Sequence, residues 1–315
     1  MFFLQNCYFC RYLYIIMHKF YYSIKALRLI SLPLSLSGII MGGLLANSFG
    51  YFSWLLFGLA LITAAALHLT CNLANDIGDY QSGNDSVASV GYETMLLSGK
   101  LSVKEVKVMV GILTAIAVTA GIALVYFAFG NLLSLRALVM LSIGAVAVCA
   151  AILYTIGKKP YGYRAFGDLA VFLFFGIAAV AGTFFLLTQT LPAVIFFPAV
   201  SMGFLVTGVV NINNIRDMEN DIKYRKTIPI LIGEKRAKLY QTALVFLPFL
   251  LMMIYDIIIG YKNSIFLLGH LSFLLLMLPV AIYHISLVYK HKGLELNKPL
   301  GYLIVMVVLF SLIIW

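Results

Sequence analysis

Charged residues are scarce in this chain. Aspartate, glutamate, lysine and arginine make up 11% of its 315 residues, hydrophobic residues make up 63%, and the mean hydropathy is +1.01. A composition of this kind excludes a soluble domain and indicates an integral membrane protein. The apolar runs are about 20 residues long and lack the strict alternation of barrel strands, so they predict membrane-spanning helices.

Cysteine is also scarce, with four residues in the chain. Cys7 and Cys10 form a single CxxC pair without a second one, so the sequence indicates no disulfide framework and only weakly a metal or redox role. The first 16 residues lack a basic segment before their apolar part, and we therefore expect no cleavable signal peptide. We interpret residues 1–20 as an N-terminal extension and residues 21–315 as one transmembrane domain.

The apolar runs predict an all-α fold, a polytopic bundle of about nine transmembrane helices in the lipid bilayer. The predicted spans are Leu29–Ala46, Phe52–Asn75, Val106–Ala128, Ala137–Ile156, Leu169–Leu187, Ala193–Ile212, Thr242–Ile259, Ile265–Val288 and Leu300–Trp315. The net charge of +10 comes from lysine and arginine clustered in every second loop, which argues against nucleic-acid binding. By the positive-inside rule, the N-terminus and all the polar clusters lie on the cytoplasmic side.

The few aspartates are concentrated in two segments. The first segment ends the second predicted span and reads Asn72-Leu-Ala-Asn75-Asp76-Ile-Gly-Asp79, with Asp85 shortly after it. Asn72, Asp76 and Asp79 are spaced i, i+4 and i+7, which places them on one helical face. A carboxylate at membrane mid-depth costs about 2.5–3.5 kcal/mol, so carboxylates kept in such a place are expected to have a partner such as a cation.

The second segment follows the sixth predicted span. Asn213, Asp217 and Asp221 are spaced i, i+4 and i+8, which again predicts one helical face. Oxygen ligands without nearby histidine or cysteine favour Mg²⁺, or Mn²⁺, over zinc and copper. Because Mg²⁺ binds one or two carboxylates together with substrate phosphate, the two segments predict a diphosphate site.

Basic residues near both segments fit a diphosphate. Lys158 and Arg164 follow Tyr154, and Arg216 and Lys226 flank the second segment. Positive side chains neutralise the charge that develops on a departing diphosphate and make it a better leaving group. Ordinary topology charge is the alternative interpretation, and we prefer it for the basic residues further along the chain.

These motifs resemble those of the UbiA superfamily of intramembrane prenyltransferases. The match is closer to one branch, the 1,4-dihydroxy-2-naphthoate polyprenyltransferases of menaquinone biosynthesis. The segments similar to that branch are residues 27–33, the run Gly-Lys-Lys-Pro-Tyr-Gly-Tyr-Arg within residues 154–168, and Asn213-Asn214-Ile-Arg216-Asp217. After Asp85 the chain departs from the branch, because Ser86-Val-Ala-Ser-Val stands where a charged Arg-x-Gly-Pro segment is common.

The resemblance implies a helix bundle around a central cavity under a cytoplasmic cap. It also implies that Mg²⁺ and polyprenyl diphosphate bind to the acidic motifs. The implied catalytic and metal-binding residues are Asp76, Asp79, Asp217 and Asp221. The implied substrate-binding residues are Asn72, Asn75, Asp85, Tyr154, Lys158, Arg164, Asn213, Asn214, Arg216 and Lys226. The aromatic acceptor would be 1,4-dihydroxy-2-naphthoate, which would be prenylated with loss of its carboxyl group as carbon dioxide.

The sequence leaves alternatives. Another member of the superfamily would prenylate 4-hydroxybenzoate, haem, a chlorin or a glycerol phosphate. A CDP-alcohol phosphotransferase also combines clustered aspartates with Mg²⁺, but the chain lacks the Asp-Gly-x-x-Ala-Arg motif of that class. A cation-coupled transporter would use paired carboxylates as an ion site, but near mid-membrane and not at the ends of helices.

Overall fold

The computed structural model describes residues 8–82, 94–157, 160–260 and 264–313, which are helical with no β-strand among them. The α-helices are α1 (Tyr8–Ala26), α2 (Leu32–Ser48), α3 (Trp54–Ser82), α4 (Val103–Phe129), α5 (Leu135–Leu153), α6 (Gly167–Val171), α7 (Thr183–Thr188), α8 (Phe196–Arg216), α9 (Met218–Asp221), α10 (Ile228–Ile232), α11 (Glu234–Gly260), α12 (Ser264–Lys290) and α13 (Asn297–Ser311). Short 3-10 turns lie at Leu29–Ser31, Tyr161–Tyr163, Ala193–Ile195 and Gly293–Leu296. The predicted all-α class is confirmed.

Nine helical segments within these described ranges are long and apolar enough to cross a membrane. They lie close to the nine predicted spans, and the chain is a multi-pass integral membrane protein. The second segment differs in one informative way, because α3 continues past the predicted end at Asn75 as far as Ser82. The first acidic cluster therefore lies on the spanning helix itself.

The fifth span contains a π-helix, Phe172–Gly182, between α6 and α7. Two glycines of α2 fit closely against it. A Cβ at Gly38 would lie 2.6 Å from the Phe175 carbonyl oxygen, and one at Gly42 would lie 2.5 Å from the Val180 carbonyl oxygen. Glycines four residues apart on an α-helix thus meet carbonyls five residues apart, which is the hydrogen-bond repeat of a π-helix.

The other side of the π-helix packs against α8 with equally little space. A Cβ at Gly176 would lie 2.3 Å from the Cα of Gly203. We expect Gly176→Ala to separate the two helices and lower the melting temperature of the purified protein, because overpacking costs about 1–3 kcal/mol. Gly111→Ala on α4 is the matched control, since nothing lies within 4 Å of a Cβ there. Equal melting temperatures for the two variants would contradict this close contact.

The largest buried cluster lies among α2, the fifth span, α8 and the three C-terminal helices. Its members include Met41, Phe184, Met202, Met252 and Phe310, which are almost entirely buried. This packed region fixes α8, and α2 packs against both α3 and the π-helix. The two helices that end in the acidic clusters, α3 and α8, therefore both pack against α2.

Candidate active site

The end of α3 carries the first acidic cluster, and part of it faces the segment between α1 and α2. Asn72 donates hydrogen bonds to the Leu27 carbonyl at 3.4 Å and to the Ser31 hydroxyl at 3.1 Å. Asp76 is 2% exposed and forms an ion pair with Arg28. These two predicted residues therefore anchor the chain that leads into α2.

The rest of this cluster faces the connection between α5 and α6. The Tyr163 hydroxyl donates a hydrogen bond to Oδ1 of Asp79 at 2.6 Å. The Thr155 hydroxyl donates to the side-chain oxygen of Asn75 at 3.1 Å. A Cβ at Gly78 would lie 2.5 Å from the Cβ of Thr155, so only glycine allows this close approach.

The second acidic cluster lies where α8 gives way to α9. α8 ends at Arg216 and α9 begins at Met218. The Asp217 N–H still donates to the Asn213 carbonyl, and the Asp221 N–H donates to the Asp217 carbonyl. Asn213 is nevertheless exposed, whereas Asp221 is 4% exposed. The bend at Asp217 thus gives different surroundings to side chains that a straight helix would align.

Each aspartate of the second cluster has an arginine partner. Arg216 donates two hydrogen bonds to Asp217, at 2.8 and 2.6 Å, and a third to Asn297 at the start of α13. Arg225 forms an ion pair with Asp221, with 2.8 Å between Nη2 and Oδ2. Such charge-assisted contacts fix the orientation of a carboxylate.

Electrostatic interaction joins the two clusters. Burial raises the pKa of the Asp221 carboxyl above its usual range, and the positive charge of Arg225 opposes this rise. The negative charges of Asp217 and Asp79 raise it further. Geometry connects the same two clusters, because Tyr163 bonds to Asp79 through its hydroxyl and accepts the Lys226 N–H through its carbonyl. Negative charges brought together in this way favour the binding of a cation.

The oxygen ligands suit a Mg²⁺ ion that is shared with a diphosphate. Within the part of the chain that the structure describes, no three histidine, cysteine, aspartate or glutamate side chains are arranged to hold a metal by themselves. Mg²⁺ commonly binds one or two carboxylates and takes its other ligands from substrate phosphate and water. Asp79 and Asp221, one from each cluster, fit that requirement.

Tyr154 lies at the end of α5 and directly precedes Thr155, which contacts Asn75 of the first cluster. The Tyr154 ring packs against two glycines of the following segment. A Cβ at Gly162 would lie 2.9 Å from the ring, and one at Gly167 would lie 2.7 Å from the hydroxyl oxygen. The glycines of this segment therefore make room for the Tyr154 side chain.

The other predicted residues lie around this centre or outside the described residues. Arg164 and Lys226 are both exposed, and a backbone bridge connects them. Asn214 is half-buried in the last turn of α8. Asp85 and Lys158 lie outside the residues that the structure describes.

Arg28, Tyr163 and Arg225 contact aspartates of the two clusters but were not among the predicted site residues. The spacing of Arg225 from Asp221, i and i+4, is typical of a helical ion pair and could have indicated it. The hydrogen bond from Arg28 spans 48 positions and the one from Tyr163 spans 84. No local pattern in the sequence could have linked those residues to the site.

An apolar cavity of about 490 Å³ lies between α2, α3, α4, α5 and the fifth span. α3 contributes Ala60, Ala64 and Leu67 to its wall. The same helix carries Asp79 about 18 Å beyond Leu67, at 1.5 Å per residue. Cys149 also lines the cavity and is exposed, so the cavity reaches the outer surface of the bundle.

Comparison with known proteins identifies the family. Residues 35–299 match the sequence model of the UbiA prenyltransferase family. The chain belongs to this family. Membership agrees with the paired acidic clusters and with the helical fold, and it makes the protein a prenyltransferase, as the motifs predicted.

Individual relatives align with most of the length of this UbiA family member. It is 36% identical over 245 residues to the 1,4-dihydroxy-2-naphthoate octaprenyltransferase of Haemophilus influenzae, covering 76% of this chain and 79% of that protein. An apo UbiA homolog from Aeropyrum pernix K1 has the same fold, with a TM-score of 0.69, 17% identity, and coverage of 91% and 98%. A UbiA homolog from Archaeoglobus fulgidus bound to GPP and Mg²⁺ has a TM-score of 0.60, 16% identity, and coverage of 90% and 96%.

Proposed function

We propose that this protein transfers a polyprenyl group from polyprenyl diphosphate to 1,4-dihydroxy-2-naphthoate, in a Mg²⁺-dependent reaction that releases carbon dioxide. The observation that carries the proposal is that Tyr163 links Asp79 to the loop after Asp221, and that the helix carrying Asp79 also lines an apolar cavity. A polyprenyl diphosphate has a charged head and a long apolar tail, which match these two features. The acceptor is inferred from the Haemophilus influenzae relative, whose name specifies it.

The reaction begins when the bond between the prenyl carbon and the diphosphate oxygen breaks, which gives an allylic cation. Asp79 and Asp221 would hold Mg²⁺, which when bound would supply positive charge to the leaving diphosphate. Asp79 and Asp221 orient the head group, and Arg225 and Lys226 add positive charge beside it. The apolar cavity wall excludes water, which would otherwise quench the cation. The electron-rich naphthoate ring then attacks the cation, and its carboxylate leaves as carbon dioxide.

We further infer that the N-terminus and this site face the cytoplasm, in a bacterial cytoplasmic membrane. The concentration of lysine and arginine in every second loop supports this orientation, and the bacterial relative supports the membrane. The division into an extension, residues 1–20, and a transmembrane domain, residues 21–315, is likewise a prediction, and the family match covers residues 35–299 of it.

The identity of the product tests the proposal. Purified protein is incubated with polyprenyl diphosphate, Mg²⁺ and a mixture of 1,4-dihydroxy-2-naphthoate, 4-hydroxybenzoate and glycerol phosphate, and the products are identified by mass spectrometry. We expect one product, with the mass of naphthoate plus the prenyl group less carbon dioxide, and none without Mg²⁺. Prenylation of another acceptor in its place would reject naphthoate as the substrate. Absence of every prenylated product would reject prenyl transfer to these acceptors.

The place of the prenyl tail can be tested at Cys149, which lines the apolar cavity and is exposed. In a variant with alanine at Cys7, Cys10 and Cys71, we expect polyprenyl diphosphate with Mg²⁺ to slow the labelling of Cys149 by a thiol reagent severalfold. The control is inorganic diphosphate with Mg²⁺, which has no tail and should leave the labelling rate unchanged. Equal rates with both ligands would mean that the tail binds elsewhere.

A further inference from the structure

A short turn that ends at Tyr163 joins the two acidic clusters. The Tyr163 hydroxyl donates a hydrogen bond to Oδ1 of Asp79, with 2.6 Å between the two oxygens. The Tyr163 carbonyl accepts the N–H of Lys226 at 3.0 Å, and the Ala165 N–H donates to the Lys226 carbonyl at 2.9 Å. Lys226 belongs to the loop that follows Asp221. Tyr163 therefore contacts the first cluster through its side chain and the loop of the second cluster through its backbone.

The turn is held firmly on both sides. On one side the Gly162 N–H donates to the Tyr154 carbonyl at 2.9 Å, and the Tyr154 ring packs against Gly162. On the other side Ala165 has a φ of 62°, a conformation that non-glycine residues rarely adopt. Its hydrogen bond to Lys226 holds it in that conformation. The Tyr163 hydroxyl consequently has a defined position beside Asp79.

We propose that Tyr163 is a positioning residue that couples the two acidic clusters. A hydroxyl bonded to one carboxylate oxygen fixes the direction of the other, as groups behind metal ligands commonly do. The 2.6 Å separation is typical of a hydroxyl that donates to a charged oxygen. Through its backbone, Tyr163 also holds the loop that carries Arg225, the ion-pair partner of Asp221. Tyr163 thus sets the geometry in which Asp79 and Asp221 bind one cation and its diphosphate.

This inference rests on the proposed function only for the diphosphate site, and not for the acceptor. It can therefore be tested by metal binding as well as by turnover. Mn²⁺ serves as the probe in the presence of inorganic diphosphate, and its binding to the full-length protein is followed by electron paramagnetic resonance. This measurement needs neither naphthoate nor prenyl transfer.

Tyr163→Phe removes the hydroxyl but keeps the ring and both backbone hydrogen bonds. We expect Mn²⁺ affinity to fall about 10- to 100-fold, which is the usual effect of removing a group behind a metal ligand. The Mg²⁺ concentration for half-maximal turnover should rise by a similar factor, while the melting temperature stays unchanged. Tyr161→Phe is the matched control. Its hydroxyl donates to the Ala150 carbonyl at 2.8 Å and not to an aspartate, so its removal should leave Mn²⁺ affinity unchanged.

A second comparison separates positioning from a general loss of structure. If Tyr163 acts through Asp79, then Tyr163→Phe should have little further effect on Mn²⁺ affinity in an Asp79→Asn protein. Unchanged affinity in the single variant would overturn the inference, and so would an equal loss in both backgrounds. A wild-type protein that binds Mn²⁺ as expected but does not prenylate naphthoate would overturn the proposed acceptor and leave this inference standing.

Discussion

Replacing Asp79 with asparagine is expected to lower turnover by about 100-fold or more while leaving the fold intact, since a lost electrostatic contact to a reacting group typically costs about 10²–10³ in kcat. Asparagine has nearly the same size and can still accept the Tyr163 hydrogen bond through its side-chain oxygen. It lacks the negative charge that a bound cation requires. Asp221→Asn should have an effect of similar size, because Asp221 supplies the matching carboxylate from the second cluster.

The matched control for both variants is Glu219→Gln. Glu219 is exposed and lies on α9, the same short helix as Asp221. Neutralising it removes one charge from the same segment, and the rate should stay within about twofold, as for most surface substitutions. The measurement is the initial rate of diphosphate release at saturating substrate and Mg²⁺. If Asp79→Asn were as active as Glu219→Gln, Asp79 would have no role in the site.

Arg28→Met is expected to lower both turnover and thermal stability. Its guanidinium pairs with Asp76, a carboxylate that is 2% exposed. Loss of a hydrogen bond to a charged group costs about 1.5–3 kcal/mol, and the lower end applies here because the Arg28 side chain is itself 34% exposed. Since about 1.4 kcal/mol corresponds to tenfold in rate, we expect about a tenfold loss of turnover if Asp76 must keep its orientation.

A second substitution at Arg28 separates the effect of losing its positive charge from the effect of its strained backbone conformation. Arg28 has φ 51° and ψ 49°, a left-handed conformation that costs a non-glycine residue about 1–2 kcal/mol. Arg28→Gly relieves this strain but also removes the guanidinium, so it should melt at a higher temperature than Arg28→Met and be just as slow. Lys104→Met, which removes an exposed positive charge from α4, is the control. Wild-type turnover in Arg28→Met would show that the pair with Asp76 has no part in the reaction.

The membrane class and the acidic clusters could be predicted from the sequence, for a physical reason. A chain with so few charged residues retains aspartates only where water, a cation or another partner compensates them. Asp79 and Asp221 were therefore conspicuous at the ends of apolar runs. Their proximity to each other did not follow from spacing, because spacing describes single helices. The pairing of the two segments was predicted instead from the chemistry of Mg²⁺, which binds carboxylates together with substrate phosphate, and the resemblance to a family agreed with it.

Contacts between distant parts of the chain could not be predicted from the sequence. Arg28 and Tyr163 reach their aspartates across 48 and 84 positions, whereas periodicity reports only on neighbours within a few turns. The sequence of Phe172–Gly182 also gives no sign of a π-helix, since it reads as an ordinary apolar run. Its conformation is matched to glycines on another helix, which is a contact between distant parts of the chain. Local spacing can also mislead. The spacing of Asn213 and Asp221 predicted one shared helical face, but the helix ends between them, so the two side chains have different surroundings.

A double-mutant cycle of Asp79→Asn and Asp221→Asn is the most direct measurement of whether the two clusters bind one diphosphate together. The dissociation constant of polyprenyl diphosphate is determined with Mg²⁺ present, for the wild type, both single variants and the double variant. If the carboxylates share one ligand, the double variant should bind little more weakly than either single variant, with a coupling energy of about 1 kcal/mol or more. Losses that add to within about 0.5 kcal/mol would contradict a shared site and indicate two independent ones.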